Sequence, residues 1–157
     1  MSETTVRRLF ALEGVEIFSQ CDVDDLAAIA QVAREQSYAS GDRVYSEGDP
    51  GDALYVVLEG RAEARRDGEL VMELKEKEAF GDVSLFDGAP RVTDMVAVKP
   101  LKVLVIDRRD FLDLLADRPE LLAGVFRVMS KQFKSMVIEL AHARNTGEVP
   151  IVGPPVP

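Results

Sequence analysis

The stretch FGDVSLFDGAPRVT, residues 80–93, decides how the rest of the sequence is interpreted. It opens on an aromatic residue and a glycine, passes through a short apolar run and an Asp-Gly-Ala-Pro turn, and reaches a single arginine. Gly81 allows close backbone approach to a ligand, and residues 83–86 suffice for about one helical turn whose free N–H groups would face an anion. Arg91 adds a permanent charge and a fork of donors that matches phosphate oxygens. The stretch therefore predicts a cradle for a phosphate group.

Residues 80–93 resemble the phosphate-binding cassette of the cyclic nucleotide-binding domain family, which includes the catabolite activator protein and the regulatory subunits of cAMP-dependent protein kinase. The family pattern is roughly Phe-Gly-Glu, an apolar residue, Ala, Leu, a short loop, Arg, two small residues, and Ser or Thr. A Glu-Gly-Asp loop at residues 47–49, before an apolar strand and a closing glycine, is a second and weaker match. The matching residues of the cassette are Phe80, Gly81, Leu85, Pro90 and Arg91.

Three positions of the cassette depart from the family pattern, while Ser84 stands where a small residue is expected. Asp82 replaces Glu and is one methylene shorter. Val92 follows the arginine where a small residue is usual, and Asp94 stands where Ser or Thr is usual. The departures leave a second interpretation open. In it the same fold binds no nucleotide and serves as a dimerisation or docking module.

The resemblance implies a role for the residues of the predicted site. Arg91 would contact the cyclic phosphate, and the backbone N–H groups of Gly81, Val83 and Ser84 would donate to it. Asp82 would accept a hydrogen bond from the ribose 2′-hydroxyl. The base would lie against apolar barrel residues, covered by the long C-terminal helix. The predicted ligand-binding residues are Phe80, Gly81, Asp82, Val83, Ser84, Arg91, Val92 and Thr93.

Short β-type segments separated by turn residues occupy the middle of the chain. Asp67-Gly68 lies between two of them and is a hairpin signal, because both residues tolerate the backbone of a tight turn. Lys99-Pro100 separates the last two segments. The spacing predicts a β-barrel or jelly roll. The predicted strands start at residues 44–45 and then cover residues 54–58, 61–66, 69–74, 92–98 and 101–106.

Two helices are predicted before the barrel, at residues 4–18 and 23–33. Asp22 is a good N-cap for the second of them because its carboxylate can accept from the first free N–H groups. The fold class is therefore mainly β with flanking helices. In full, the sequence predicts a double-stranded β-helix of the cyclic nucleotide-binding type, with two N-terminal helices and a long C-terminal helix.

The chain after the barrel is predicted to be helical until it becomes rich in proline. Asp107 should cap a helix at residues 108–116, and Pro119 suits the first position of a long helix that reaches about Arg144. Residues 145–157 contain four of the eight prolines and should form a disordered tail. The remainder, residues 1–144, would form one domain.

The long helix has more apolar residues than one packed face needs. One stripe would cover the barrel, and the other would meet a second subunit, since a monomer rarely exposes so large an apolar patch. We therefore expect a homodimer through helix 118–143. The alternative is that the N-terminal helices cover the spare stripe. The stripe with heptad-like spacing is Leu122, Phe126, Met129, Phe133, Met136 and Leu140, and the second is Leu121, Val125, Val128 and Val137.

Composition excludes several classes of function. The formal charge of −9 argues against holding nucleic acid by its phosphates, so an anion site must be local. No run approaches the roughly 20 apolar residues of a membrane span, and residues 1–8 lack the apolar core of a signal peptide. The single cysteine, Cys21, forbids an intrachain disulfide, which agrees with a cytoplasmic location. The only histidine is His142 and no nucleophile-base pair is visible, so we predict no enzyme, metal or cofactor.

The favoured prediction is a regulatory module that binds a 3′,5′-cyclic nucleotide and relays the binding signal by moving its C-terminal helix. We expect cAMP rather than cGMP as the ligand. By resemblance, members selective for cGMP tend to have Thr or Ser just after the arginine, whereas Val92 offers guanine no hydrogen bond. Too few residues follow the long helix for a helix-turn-helix. We therefore expect either an effector protein as output or a chain that is a fragment of a larger protein.

Overall fold

A computed structural model describes residues 2–147, apart from the side chain of Val83. The predicted tail from residue 148 onward lies outside the described residues. The helices are α1 Glu3–Glu13, α2 Val23–Val32, α3 Arg108–Asp117 and α4 Pro119–Thr146, with 3₁₀ turns at Glu16–Phe18 and Asp82–Ser84. The strands are β1 Arg34–Tyr38, β2 Arg43–Tyr45, β3 Ala53–Glu59, β4 Ala62–Arg66, β5 Glu69–Leu74, β6 Ala79–Phe80, β7 Asp94–Ala97 and β8 Leu101–Asp107.

The eight strands form two antiparallel sheets, with strand orders β1-β8-β3-β6 and β2-β7-β4-β5. Strand β3 pairs with β8 along its length, so that Ala53 lies opposite Asp107 and Val57 opposite Val103. Inward-facing residues of both sheets share one apolar core, which includes Tyr55, Val57, Ala64, Leu74, Met95 and Val105. This arrangement confirms the predicted jelly roll with flanking helices.

The outer face of the first sheet is covered by the helices. Leu54 and Val56 of β3, with Leu104 and Ile106 of β8, pack in a second core against α1, α2, α3 and the start of α4. Strands β3 and β8 are therefore buried on both faces. Strands of this kind have near-continuous apolar sequences instead of alternating ones, as residues 53–58 do.

The N-terminal segment differs from the single helix predicted at residues 4–18. Helix α1 ends at Glu13, because Gly14 follows and glycine is a poor helix former, and only a 3₁₀ turn continues at Glu16–Phe18. Helix α2 begins as predicted, with the Asp22 carboxylate accepting from the Asp25 N–H at 2.9 Å. Phe10 of α1 is 65% exposed.

Strand boundaries were predicted correctly at the hairpin and less well elsewhere. Strands β4 and β5 meet at Asp67 and Gly68, whose φ values of 53° and 78° suit a tight hairpin turn. Strand β7 is shorter than the predicted 92–98 segment and leaves Val92 and Thr93 in the preceding loop. Strand β1, with the sequence REQSY, was not predicted because it has no apolar alternation.

Helix α4 packs on the domain only through its first half. Leu121, Val125 and Val128 are buried, which confirms that part of the second stripe covers the domain, whereas Val137 is 49% exposed. The helix reaches Thr146 and closes at Gly147, whose N–H donates to the carbonyls of the last turn. Asn145 and Thr146 are therefore helical, and their assignment to the tail was wrong. Among the described residues, no helix is both long and apolar enough to cross a bilayer.

We predict that Gly51→Ala disrupts the contact between the β2–β3 loop and the cassette. A Cβ at Gly51 would lie 2.2 Å from the Ser84 Cβ and 2.4 Å from the Ala89 carbonyl oxygen. Overpacking of this kind should lower the free energy of unfolding by about 1–3 kcal/mol, measured by urea denaturation. Gly14→Ala is the matched control, because its only close contact is the flexible Lys77 side chain. Equal destabilisation of both variants would contradict the steric argument.

Candidate functional site

The cassette of residues 80–93 starts with a reversal of the backbone after β6. Gly81 has φ 83°, and the 3₁₀ turn Asp82–Ser84 follows directly. The Leu85 N–H donates to the Asp82 carbonyl at 3.1 Å, and the Gly88 N–H donates to the Ser84 carbonyl at 2.9 Å. The predicted helical turn is therefore present, one residue earlier than expected. Its first N–H groups have no acceptor within the turn, as is general at helix starts.

No other residue fits at Gly81. Its left-handed φ disfavours residues with a Cβ, and an added Cβ would lie 2.8 Å from both the Ala53 carbonyl oxygen and Nη1 of Arg91. The glycine thus lets β3, the cassette and the arginine side chain meet at one point. The pattern-based prediction of a close backbone approach at this position agrees with the geometry.

Arg91 is buried, with only 4% of its surface exposed. Its Nη1 donates to the Gly81 carbonyl at 3.1 Å and its Nη2 donates to the Ala53 carbonyl at 2.7 Å. The guanidinium lies 4.4 Å from the ring centre of Tyr45, and Nη2 is 3.9 Å from a carboxylate oxygen of Asp52. Its Nε is buried without a hydrogen-bond partner among the described residues. The arginine is therefore held in place by its neighbours, and only two of its five N–H donors make hydrogen bonds among the described residues.

An aromatic cluster of Tyr45, Tyr55 and Phe80 lies beneath the guanidinium. Tyr55 and Phe80 stack with ring centres 4.8 Å apart, and Tyr45 is tilted against both. Burial raises the pKa of Tyr55 to about 12 and also raises the pKa of Tyr45, where the Arg91 charge opposes the rise. Both phenols are therefore neutral at physiological pH. The predicted site residue Thr93 forms a side-chain hydrogen bond with Tyr45.

The departures from the family pattern have identifiable surroundings. The Asp94 carboxylate accepts from the Glu47 N–H at 2.8 Å and lies 3.9 Å from Nη1 of Arg43. These contacts hold the Asp94 carboxylate against the β2–β3 loop, and the positive charge of Arg43 partly offsets its negative charge. Val92 is 52% exposed. Ser84 is buried and packs against Gly51, a position that only a small side chain can occupy.

Asp82 lies at the edge of a cleft of about 340 Å³. Strand β5 contributes Met72 and Leu74 to the cleft, and helix α4 contributes Gln132 from the opposite side. Lys77 also lines it. The cleft thus combines apolar residues, the Gln132 amide and three acidic residues, Glu16, Glu78 and Asp82, beside the cassette. None of Met72, Leu74 and Gln132 was among the predicted site residues.

Arg108 is a second arginine of the site that was not predicted. Its Nε donates to the Leu85 carbonyl at 2.9 Å and its Nη2 donates to the Phe86 carbonyl at 3.1 Å. Its backbone N–H donates to the Asp52 carbonyl at 2.8 Å. The first residue of α3 therefore fastens the end of the cassette to the β2–β3 loop. No local pattern marks this role, because the contacts join residues that are distant in sequence.

The prediction that Asp107 caps α3 is only partly confirmed. Asp107 occupies the N-cap position, but its side chain makes no capping hydrogen bond. One of its carboxylate oxygens instead lies 3.4 Å from Nη2 of Arg34 in β1. The start of α3 is consequently positioned by Arg108 and by strand pairing more than by its cap.

The comparison with family models agrees with this geometry. The model of the cyclic nucleotide-binding domain matches residues 35–118, which include both sheets, the cassette and α3. This chain belongs to the cyclic nucleotide-binding domain family. The buried arginine, the left-handed glycine and the 3₁₀ turn all lie within the matched residues.

The match with this chain covers a different share of each relative. A CRP-like cAMP-activated global transcriptional regulator of Mycobacterium tuberculosis is 28% identical over 123 residues, which are 75% of this chain and 55% of that protein. A cAMP-dependent protein kinase regulatory subunit of Aspergillus niger is 34% identical over 113 residues, 69% of this chain and 28% of that protein. The chain thus spans about half of the first relative and about a quarter of the second.

Two solved structures illustrate the fold. The N-terminal domain of a transcriptional regulator from Streptomyces coelicolor A3(2) has a TM-score of 0.76 and 30% identity, covering 83% of this chain and 94% of that one. The regulatory domain of Toxoplasma gondii PKA with cAMP has a TM-score of 0.72 and 23% identity, covering 85% and 51%. The second likeness concerns the fold alone.

We predict that Arg108→Gln loosens the cassette even without a ligand. Each hydrogen bond from a charged donor contributes about 1.5 kcal/mol, so losing two should accelerate amide exchange of Leu85 and Gly88 by about ten-fold or more. Hydrogen-exchange mass spectrometry of cassette peptides measures the change. Arg109→Gln is the matched control, since Arg109 is the exposed neighbour with the same charge. Identical exchange in the two variants would show that Arg108 does not fasten the cassette.

Proposed function

We propose that this domain binds a 3′,5′-cyclic nucleotide through residues 80–93 and acts as a regulatory module. The observation that carries the proposal is the buried Arg91 beside Gly81 and the 3₁₀ turn Asp82–Ser84. A cyclic phosphate placed there would receive the arginine charge and the N–H groups of the turn. Because Arg91 is already immobilised by Ala53, Gly81 and Tyr45, little conformational entropy is lost on binding.

The rest of the nucleotide would extend into the cleft beside Asp82. In the proposed complex, Asp82 accepts from the ribose 2′-hydroxyl, and the base lies against Met72 and Leu74. Gln132 of α4 faces the base, and its amide can both donate to and accept from a purine edge. The contact between Asp82 and the ribose should be weaker than the one a glutamate would make, because the Asp82 side chain is shorter than the glutamate of the family pattern.

We propose cAMP as the preferred ligand. Val92, directly after the arginine, has no group that could bond the additional polar atoms of guanine, so cGMP would leave them unpaired. The names of the relatives point the same way: the M. tuberculosis regulator is described as cAMP-activated and the A. niger protein as the regulatory subunit of a cAMP-dependent kinase. A cytoplasmic location remains a prediction of the sequence.

The signal would pass from the cassette to α4. Phe86 at the end of the cassette stacks on Phe126 of α4, with ring centres 5.9 Å apart, and also contacts Phe111 of α3. Arg108 fastens the same part of the cassette to α3. A movement of the cassette on binding would therefore move both helices, provided that the ligand binds more tightly to one of the two helix positions.

The interpretation as a fold without nucleotide binding was motivated by the departures at Asp82, Val92 and Asp94, and Asp94 is the one that would add negative charge near a phosphate. Its carboxylate accepts from the Glu47 N–H and lies near Arg43, so the nearby charges offset a repulsion of phosphate. We therefore favour the nucleotide-binding function. Dimerisation and docking are proposed as accompanying properties instead of as the whole function.

The expected result for Arg91→Ala is weaker nucleotide binding by about 30-fold or more, from the loss of 2–5 kcal/mol that a buried charged contact provides. Calorimetric titration with cAMP, cGMP and cyclic dinucleotides measures it. Because Arg91 also donates to the carbonyls of Ala53 and Gly81, the variant should also be less stable than the wild type. Arg91→Lys, which keeps the charge but loses the fork, should bind with intermediate affinity.

Arg61→Ala, an exposed arginine at the other end of β3, is the control and should bind as the wild type does. Circular dichroism establishes that each variant is folded at the temperature of the titration. Unchanged affinity in a folded Arg91→Ala protein would contradict the assignment of the site. Tighter binding of cGMP than of cAMP would overturn the proposed preference.

We also propose a homodimer through helix 118–143. Phe133, Met136 and Leu140 are 67%, 60% and 48% exposed, so the N-terminal helices do not cover this stripe. Its heptad-like spacing suits pairing with the same helix of a second chain about a two-fold axis. Phe133→Glu should shift the protein from dimer to monomer in sedimentation equilibrium at tens of micromolar. Lys134→Glu, next to it on the outer face, should not. A monomeric wild type would refute the dimer.

A further inference from the structure

Helix α4 has a second surface, which we call the cationic face, that lies away from the apolar stripe. Arg127, Lys131 and Lys134 follow one another along it at helical spacing, and Ser130 and Ser135 lie beside the two lysines. All five side chains are exposed or partly exposed. They line an open groove of about 590 Å³ along the helix, together with Ala123, Phe126 and Ile138.

The cations of this face have no acidic partner. None of the three forms an ion pair within residues 2–147, and the positions three and four residues away from each contain no Asp or Glu. Arg127 and Lys131 instead lie at spacing i, i+4, and Lys131 and Lys134 at i, i+3. Like charges at these spacings destabilise a helix by about 0.2–0.5 kcal/mol per pair. The three cations repel one another, and they form a local concentration of positive charge in a chain whose net charge is −9.

The cationic face is separate from the proposed dimer contact. Where Phe126, Phe133 and Leu140 occupy the a positions of a heptad, Arg127 and Lys134 fall at b and Lys131 at f. The b and f positions point outward from a helix pair. The face would therefore be accessible in the monomer and in the dimer. It is also separate from the buried side of α4, which consists of Leu121, Val125 and Val128.

We propose that the cationic face of α4 docks an acidic helical segment of a partner protein. From Arg127 to Lys134 the helix rises by about 10.5 Å, or two turns. A partner helix with carboxylates at the same spacing could pair with all three cations. Ile138, which is 68% exposed at one end of the groove, would meet an apolar residue of the segment. Pairing would remove the like-charge conflict that the free helix contains.

A protein segment fits this face better than nucleic acid or a membrane surface. The chain as a whole carries −9, so an extended polyanion would be repelled by the rest of the domain. A short segment with a few carboxylates contacts only the local positive region. At physiological ionic strength the screening length is about 8 Å. The surrounding acidic surface therefore weakens the contact with a short segment much less than it weakens the contact with an extended polyanion. The proposal does not depend on nucleotide binding.

The test uses the whole chain and a fluorescein-labelled helical peptide of about 14 residues, roughly four turns, with Glu on one face and Leu on the other. Fluorescence anisotropy should give a saturable, salt-sensitive affinity. The variant Lys131→Glu/Lys134→Glu should bind about ten-fold or more weakly, and Lys131→Gln/Lys134→Gln should lie between it and the wild type. The matched control is Lys75→Glu/Lys99→Glu, which changes net charge equally at exposed turns of the barrel.

Four outcomes would overturn the proposal. The first is that the peptide shows no saturable binding, and the second is that the control variant loses as much affinity as the lysine variant. The third is that phosphatidylserine vesicles or duplex DNA bind more tightly than the peptide through the same lysines. The fourth is that the lysine variants no longer dimerise. The last would show that the face meets a second copy of the chain. Helix content measured by circular dichroism establishes whether the variants are folded. If the glutamate variant is unfolded, the affinity of the glutamine variant tests the proposal.

Discussion

The burial of the Arg91 guanidinium is the constraint on which the rest of the structure depends. Removing a charge from water costs several kcal/mol even after relaxation, so the protein must supply compensating contacts. Two carbonyls, from Ala53 and Gly81, and the face of Tyr45 supply them. These three residues come from β3, the cassette and β2. Each of those elements must therefore hold its position for the arginine to be stable. A bound phosphate would add a second negative charge to that of Asp52, whose carboxylate lies 3.9 Å from Nη2.

Features that depend on local chemistry could be predicted from the sequence. Asp22 caps α2 because its carboxylate reaches an N–H three residues ahead, and Asp67-Gly68 turns a hairpin because both residues accept positive φ. Pro119 starts α4 because its missing N–H would have no partner in the first turn. Gly81 belongs to the same class, since its neighbours in the motif already indicate a backbone reversal.

Features that depend on contacts between distant segments could not be predicted. Strand β1 is polar and is held by pairing with β8, so its own residues contain no signal. Arg108 is an ordinary first-turn residue by pattern, and only the fold brings it to the carbonyls of Leu85 and Phe86. The same holds for Gln132, which is 50 residues from Asp82 in sequence and lines the same cleft. The apolar stripes of α4 were visible in the sequence, but which of them is buried was not.

The position of the Phe86–Phe126 contact explains why a small change in the cassette could have a large effect. The stack lies where α4 changes from its packed first half, which contains Val125 and Val128, to an exposed second half that begins near Ser130. From there to Thr146 the helix extends for about 24 Å, at 1.5 Å per residue. A tilt of about 10° at the stack would therefore move the end of α4 by about 4 Å, on the same helical rise. The exposed half contains Phe133, Met136 and Leu140 of the apolar stripe, and Lys131 and Lys134 of the cationic face. One movement would therefore reposition two surfaces at once.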